Sequence, residues 1–147
     1  VYRNDNSGRA FVETDPLEGK DPYSASKVGT ESVVAAWQQI AKVSGGPSVV
    51  SVRAGNVIGG GEFSENRIIP DIIRGVLNGT QIEIRSPSST RPWQHVLEPL
   101  SGYLALGVSV YKNSEIHGEA FNFGPRAEQS HTVVDLIISI ILKLLSV

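Results

Sequence analysis

A helix-forming stretch from about Tyr23 to Val43 stops at Ser44-Gly45-Gly46-Pro47. It gives way at once to the β-branched run Ser48 to Arg53, which ends in the glycine-rich turn Gly55 to Gly61. Val33, Trp37, Ile40 and Ala41 recur at helical spacing, with Asp21 placed to cap the helix and Pro22 to occupy its first position. Val49, Val50 and Val52 suit a buried strand. The same alternation continues downstream. A second helix is predicted from Asn66 or Arg67 to Asn78, closed by Gly79, then a strand over Gln81 to Arg85 and a short extended piece over Pro92 to Val96. A third helix runs from Glu98 to about Lys112, a strand covers Ala120 to Phe123, and a fourth helix covers Thr132 to Ser146. Helices and strands that alternate in this way argue for an α/β fold.

The fourth helix carries Thr132, Asp135, Ser139, Lys143 and Ser146 on one narrow polar stripe, so the rest of its surface needs cover. Its apolar part, Val133 to Val147, contains Asp135 and Lys143 and is shorter than the ~20 residues that a membrane span requires. Net charge is −2 over 147 residues, which supplies no general attraction to nucleic acid or to a membrane surface. There is no cysteine, so disulfides, thiol nucleophiles and cysteine-ligated metals are excluded from these residues. His95, His117 and His131 are scattered, and no His/Asp/Glu spacing supports a metal site. Val1-Tyr2 reads as a strand already under way and no methionine is present, so a piece of a longer protein is expected.

Three segments can carry chemistry. In Tyr23-Ser24-Ala25-Ser26-Lys27 the phenol and the ammonium fall one turn apart on one helix face. A phenol titrates near ~10 and is a poor base at neutral pH, but a nearby ammonium favours its anion. Such a pair can take a proton from a substrate hydroxyl. A plain solvated Tyr and Lys is the alternative. The second segment, Arg53-Ala54-Gly55-Asn56-Val57-Ile58-Gly59-Gly60-Gly61, is a strand end of the kind at which open α/β sheets bind ligands. It is equally readable as a flexible turn, and it is not a dinucleotide fingerprint. The third is Thr90-Arg91-Pro92-Trp93-Gln94-His95-Val96, where a stiffly held arginine fork suits phosphate oxygens or packs on Trp93. Arg67 and Arg126 are further anion candidates.

Taken with Ile69-Pro70-Asp71-Ile72-Ile73-Arg74 and with the continuation Leu97-Glu98-Pro99-Leu100-Ser101-Gly102-Tyr103-Leu104, these segments resemble the CDP-glucose 4,6-dehydratases of the extended short-chain dehydrogenase/reductase superfamily. The resemblance runs from Val1 to about Val134. It implies part of a Rossmann-like doubly wound parallel sheet with a smaller sugar-nucleotide lobe. Residues 1–66 would belong to the NAD-binding domain and 67–147 mainly to the lobe, with the helix near 98–112 returning to the former. It implies NAD as cofactor, Tyr23 as base at the glucose 4-hydroxyl and Lys27 at the nicotinamide ribose. Ala54 and Gly55 would lie against the nicotinamide, Asn56 would face the substrate, Arg91 would grip the diphosphate, and Arg67 and Ile69 would line the nucleotide side. The implied reaction takes hydride from C4, eliminates water across C5 and C6, and returns hydride to C6.

The resemblance also implies a cytoplasmic homodimer, paired through the Tyr23–Val43 helix, that serves deoxysugar and lipopolysaccharide biosynthesis. The family's Thr-Asp-Lys elimination set and its amino-terminal glycine motif have no counterpart among these residues, so this stretch alone is expected to be inactive. An NAD-dependent nucleotide-sugar epimerase or decarboxylase, and a non-catalytic sugar-nucleotide- or partner-binding fragment, are the alternative readings.

Overall fold

The computed structural model describes residues 1–5, 7–126, 129 and 131–146. They fall into two compact units, one formed by Val1–Ala54 with Leu97–Phe123 and the other by Gly55–Val96 with Gly124–Val147. The chain thus changes unit at Ala54/Gly55, at Val96/Leu97 and at Phe123/Gly124.

In the first unit, α1 spans Pro22–Ser44. The Asp21 carboxylate accepts the Tyr23 and Ser24 N–H groups at 2.9 and 3.0 Å, so two otherwise orphaned donors of the first turn are satisfied. Ser24 returns its side chain to the cap and completes a capping box, with Pro22 in the first turn. Gly45 ends the helix in the left-handed region, at φ 68°, a conformation open to glycine at no steric cost. Strand β1, Ser51–Ala54, pairs in parallel with Ala120–Phe123, Ser51 opposite Ala120 and Ala54 opposite Phe123.

Helix α3, Leu97–Lys112, returns to this unit and leads through a 3-10 turn at Ser114–Ile116 to the Ala120–Phe123 strand. Gly102 of α3 lies directly against the Phe123 ring: a Cβ there would meet Phe123 Cε1 at 2.2 Å, so no larger residue fits unless the ring or the helix shifts. Tyr103 adds an edge-to-face contact to the same ring at 5.0 Å. His117 is structural. Its Nδ1 accepts the Val49 N–H and its Nε2 lies 2.9 Å from the Gln38 carbonyl, tying the β1 approach to α1. Apolar stripes remain open on α1 (Val33, Trp37, Ile40) and on α3 (Leu100, Leu104, Val108, Tyr111).

The second unit begins with β2, Val57–Ile58, which pairs in parallel with β4, Gln94–His95. The glycine-rich segment is therefore partly strand. Helix α2, Ile68–Asn78, starts at Arg67 and ends at Gly79 in the left-handed region. β3, Thr90–Arg91, pairs antiparallel with His131–Thr132. Helix α4, Val133–Leu145, starts from a capping box between Thr132 and Asp135.

Ile72, fully buried, centres a core with Val133 and Ile137, flanked by Ile68, Ile82, Trp93, Ile140 and Ile141. One sequence expectation is corrected here. Gln81 to Arg85 is not a strand: it has no ladder partner among the described residues, and Ile82 instead packs into the core beside Gly75. On α4 the second unit covers only the Val133–Ile137–Ile141 side, while Val134, Ile138 and Leu142 stay exposed.

Candidate functional site

The first unit carries Tyr23, Lys27 and Ala54. Tyr23 stands in the first turn of α1 and is 72% exposed. Lys27, one turn on, places Nζ 5.4 Å from the centroid of the Tyr23 ring. The pair is therefore assembled on an open helix face, with a phenol and an ammonium presented side by side. The capping at Asp21 fixes where that face begins.

Ala54 closes β1 opposite Phe123. Beneath this strand end lies a polar network that sequence reading did not find. Arg53 donates from Nε to Glu31 Oε1 at 2.8 Å and from Nη2 to Glu31 Oε2 at 2.9 Å. Its Nη1 donates to the Tyr2 hydroxyl and to the Glu13 carbonyl. Tyr2 in turn donates to Asn122 Oδ1 at 2.6 Å, and Ser51 Oγ donates to Glu31 Oε2. The Arg53 and Glu31 side chains are only 11% and 16% exposed. Arg53 appeared in the sequence merely as a strand end; the carboxylate that answers it is on another element.

The hydrogen bonds from Arg53 hold the Glu31 carboxyl below its usual range, against the opposing effect of burial. The Asn122 N–H lowers Glu13, and Arg9 holds Asp15 at about 2. In each case the folded group binds protons less readily than the unfolded one. The stability it contributes is complete above the unfolded value, near ~4, and is lost as pH falls through the lower folded value. We expect the thermal midpoint at about pH 3 to lie below that at about pH 6, and Glu31→Gln to narrow the gap. An unchanged gap in the variant would show that this pair carries none of the acid sensitivity.

The second unit carries Gly55, Asn56, Arg67, Ile69 and Arg91. A Cβ at Gly55 would meet Pro92 Cγ at 2.6 Å, so glycine permits the close approach of two backbones here. The Asn56 carbonyl accepts the Gln94 N–H at 3.0 Å, which leaves the exposed Asn56 side chain at the mouth of β2. Gly55 and Asn56 are thus brought to the segment that carries Arg91. Arg91 is fixed by the antiparallel pairing of β3 and is exposed.

Arg91 lines a cleft of about 660 Å³ with Asn66, Thr80, Gln81 and Arg85, floored by Ile72 and Val133. The sequence pattern does not mark Arg85 or Asn66 as lining residues and puts Arg85 at the end of a strand. Arg74 also borders the cleft, but its guanidinium is committed to the Phe63 and Ser64 carbonyls and to Asp71. Arg67 caps α2 with its backbone, and neither Arg67 nor Ile69 lines this cleft. Arg126, the other arginine considered for anions, is not among its lining residues either. Among the described residues no group of His, Asp and Glu is arranged to hold a metal ion.

Comparison with known proteins places this geometry in context. The model of the NAD dependent epimerase/dehydratase family matches residues 1–124. The CDP-glucose 4,6-dehydratase of Salmonella typhimurium is 46% identical over 128 residues, covering 84% of this chain and 36% of that protein. A crystal structure of dTDP-glucose 4,6-dehydratase from Bacillus anthracis in complex with NAD superposes with a TM-score of 0.72 at 27% identity, covering 91% of this chain and 40% of that one. UDP-glucuronic acid 4-epimerase from Bacillus cereus, at 20% identity and a TM-score of 0.78, covers 100% and 42% and shows the shared fold alone. The architecture is α/β of the Rossmann type, and the chain spans about 36% of the length of the Salmonella typhimurium relative.

Proposed function

The chain belongs to the NAD dependent epimerase/dehydratase family, and on that premise we propose that it carries part of the catalytic and substrate-binding apparatus of a nucleotide-sugar 4,6-dehydratase acting on CDP-glucose. The observation that carries this reading is the 46% identity to a CDP-glucose 4,6-dehydratase across both units. Residues 1–66 serve as part of an NAD-binding domain and 67–147 mainly as a sugar-nucleotide lobe, with the helix near 98–112 returning to the former. The product, a 4-keto-6-deoxy sugar nucleotide, suits cytoplasmic deoxysugar synthesis for surface polysaccharides such as lipopolysaccharide. Among the described residues no helix is long and apolar enough to cross a membrane.

The exposed phenol–ammonium pair fits a dinucleotide's ribose together with a sugar hydroxyl, because one group moves a proton and the other donates hydrogen bonds on the same open face. NAD, when bound, supplies the hydride acceptor and returns the hydride. Tyr23 takes the proton of the 4-hydroxyl, and Lys27 stabilises the resulting charge and holds the ribose. Ala54 and Gly55 present small surfaces to the nicotinamide, and Asn56 offers a donor and an acceptor to the sugar. Arg91 grips the diphosphate in the cleft, while Arg67 and Ile69, outside the cleft lining, serve the nucleotide side.

The test is to incubate the full-length protein with NAD and CDP-glucose and follow the 4-keto-6-deoxy product by its absorbance in base. Product from CDP-glucose in preference to dTDP-glucose is expected. Inversion at C4 without loss of water would replace this reading with the epimerase one, and binding without turnover with the fragment one.

The protein acts as a homodimer joined through α1, whose Val33, Trp37 and Ile40 form an exposed apolar stripe; Trp37 alone is 59% exposed. Light scattering at tens of micromolar is expected to give twice the chain mass for the native protein and a reduced mass for Trp37→Glu. A monomeric native mass would remove the dimer from this account.

A further inference from the structure

We propose that Arg53 is a positioning residue for the Tyr23–Lys27 pair: by gripping Glu31 along both carboxylate oxygens, it keeps that carboxylate off the Lys27 ammonium. The inference rests on the function proposed above, since it gives Arg53 a part in the work of that pair.

Tyr23, Lys27 and Glu31 recur at four-residue intervals along α1 and so share one helix face. A lysine and a glutamate four apart on a helix are natural ion-pair partners. Among the described residues these two form none. Glu31 is turned instead to β1, where Oε1 accepts Arg53 Nε and Oε2 accepts both Arg53 Nη2 and Ser51 Oγ, at 2.8 to 2.9 Å.

Arg53 is held from its other side by Tyr2 and by the Glu13 carbonyl, so the fork cannot swing away. The other carboxylate near this network, Glu13, is occupied by the Asn122 N–H at 2.8 Å. Lys27 meanwhile remains over the Tyr23 ring, 5.4 Å from Nζ to the centroid. Without Arg53 the Glu31 carboxylate has lost its fork and lies one helical turn from Lys27. An ammonium paired with a carboxylate offers a phenolate less support, because the two charges offset each other.

In the full-length enzyme, Arg53→Met is expected to lower kcat roughly tenfold, a size that couplings between contacting groups reach. KM for CDP-glucose changes little, and the acid limb of the kcat–pH profile moves to higher pH. Adding Glu31→Gln to Arg53→Met restores kcat to within about threefold of native, and Glu31→Gln alone stays within that range, because a neutral amide does not capture Lys27. If the pair served only to anchor α1 on β1, Glu31→Gln would cost as much as Arg53→Met and the double variant would be no better.

A readout free of cofactor and substrate is the crystal structure of Arg53→Met, which is expected to show the Glu31 carboxylate within about 4 Å of Lys27 Nζ, while the double variant returns Lys27 to its place over the Tyr23 ring. Where Arg53→Met does not fold, Arg53→Lys replaces it, keeping the charge without the fork; a smaller loss with the same rescue is expected. No rescue by Glu31→Gln, or a Lys27 unpaired with Glu31 in Arg53→Met, overturns the proposal. A native enzyme without dehydratase activity overturns the proposed function instead, and the Arg53→Met structure then decides this inference by itself.

Discussion

Tyr23→Phe in the full-length enzyme is expected to lower kcat by about a hundredfold or more, the range that loss of a general base produces. The hydroxyl removed is the group assigned to take the 4-hydroxyl proton. Tyr23 is 72% exposed and its backbone N–H is satisfied by Asp21, so phenylalanine leaves α1 and its cap intact. The loss should therefore fall on kcat, with KM for CDP-glucose little changed. Steady-state kinetics of the purified variant decide this. Near-native turnover would exclude Tyr23 as the base, and a large rise in KM with kcat intact would assign it to binding.

Arg91→Ala is the second large effect. A charge-assisted hydrogen bond to a ligand phosphate contributes about 1.5–3 kcal/mol, so affinity for CDP-glucose should fall by about ten- to a hundredfold. The exposed side chain stands outside the Ile72 core, and β3 is held by backbone pairing that alanine retains. NAD affinity should stay near native. Calorimetric titration with CDP and with NAD separates the outcomes: equal losses for both ligands would indicate a damaged fold, and no loss for either would make Arg91 an ordinary surface arginine.

The four helix positions were legible in the residues themselves because their boundaries are set locally. Asp21 satisfies donors two and three residues away, Gly45 and Gly79 adopt the left-handed conformation that stops α1 and α2, and Thr132 caps α4 through Asp135. The Ala120–Phe123 strand was equally readable, since a short aromatic run between turns has few alternatives. The spacing of Tyr23 and Lys27 alone dictates that they meet once a helix forms, and 5.4 Å from ammonium to ring is the result.

What depended on distant partners was not legible. Gln81 to Arg85 alternates like a strand, but a strand exists only with a ladder partner, and the core claimed Ile82 instead. Val57-Ile58 hides among glycines and is a strand because Gln94-His95 runs beside it. Outside its narrow polar stripe, α4 is apolar on every side, which left open which part would be buried; Ile72 chose Val133 and Ile137.

By itself the sequence determined the helices, their caps and the pairing of Tyr23 with Lys27, because caps and i,i+4 neighbours act within one or two turns. Only the tertiary structure decided that Glu31 on that same helix face would bind Arg53, 22 positions away, and that Arg91 would border a cleft with Arg85. A charged side chain goes to whichever partner the packed backbone brings into hydrogen-bond range, and that choice is made by the fold as a whole.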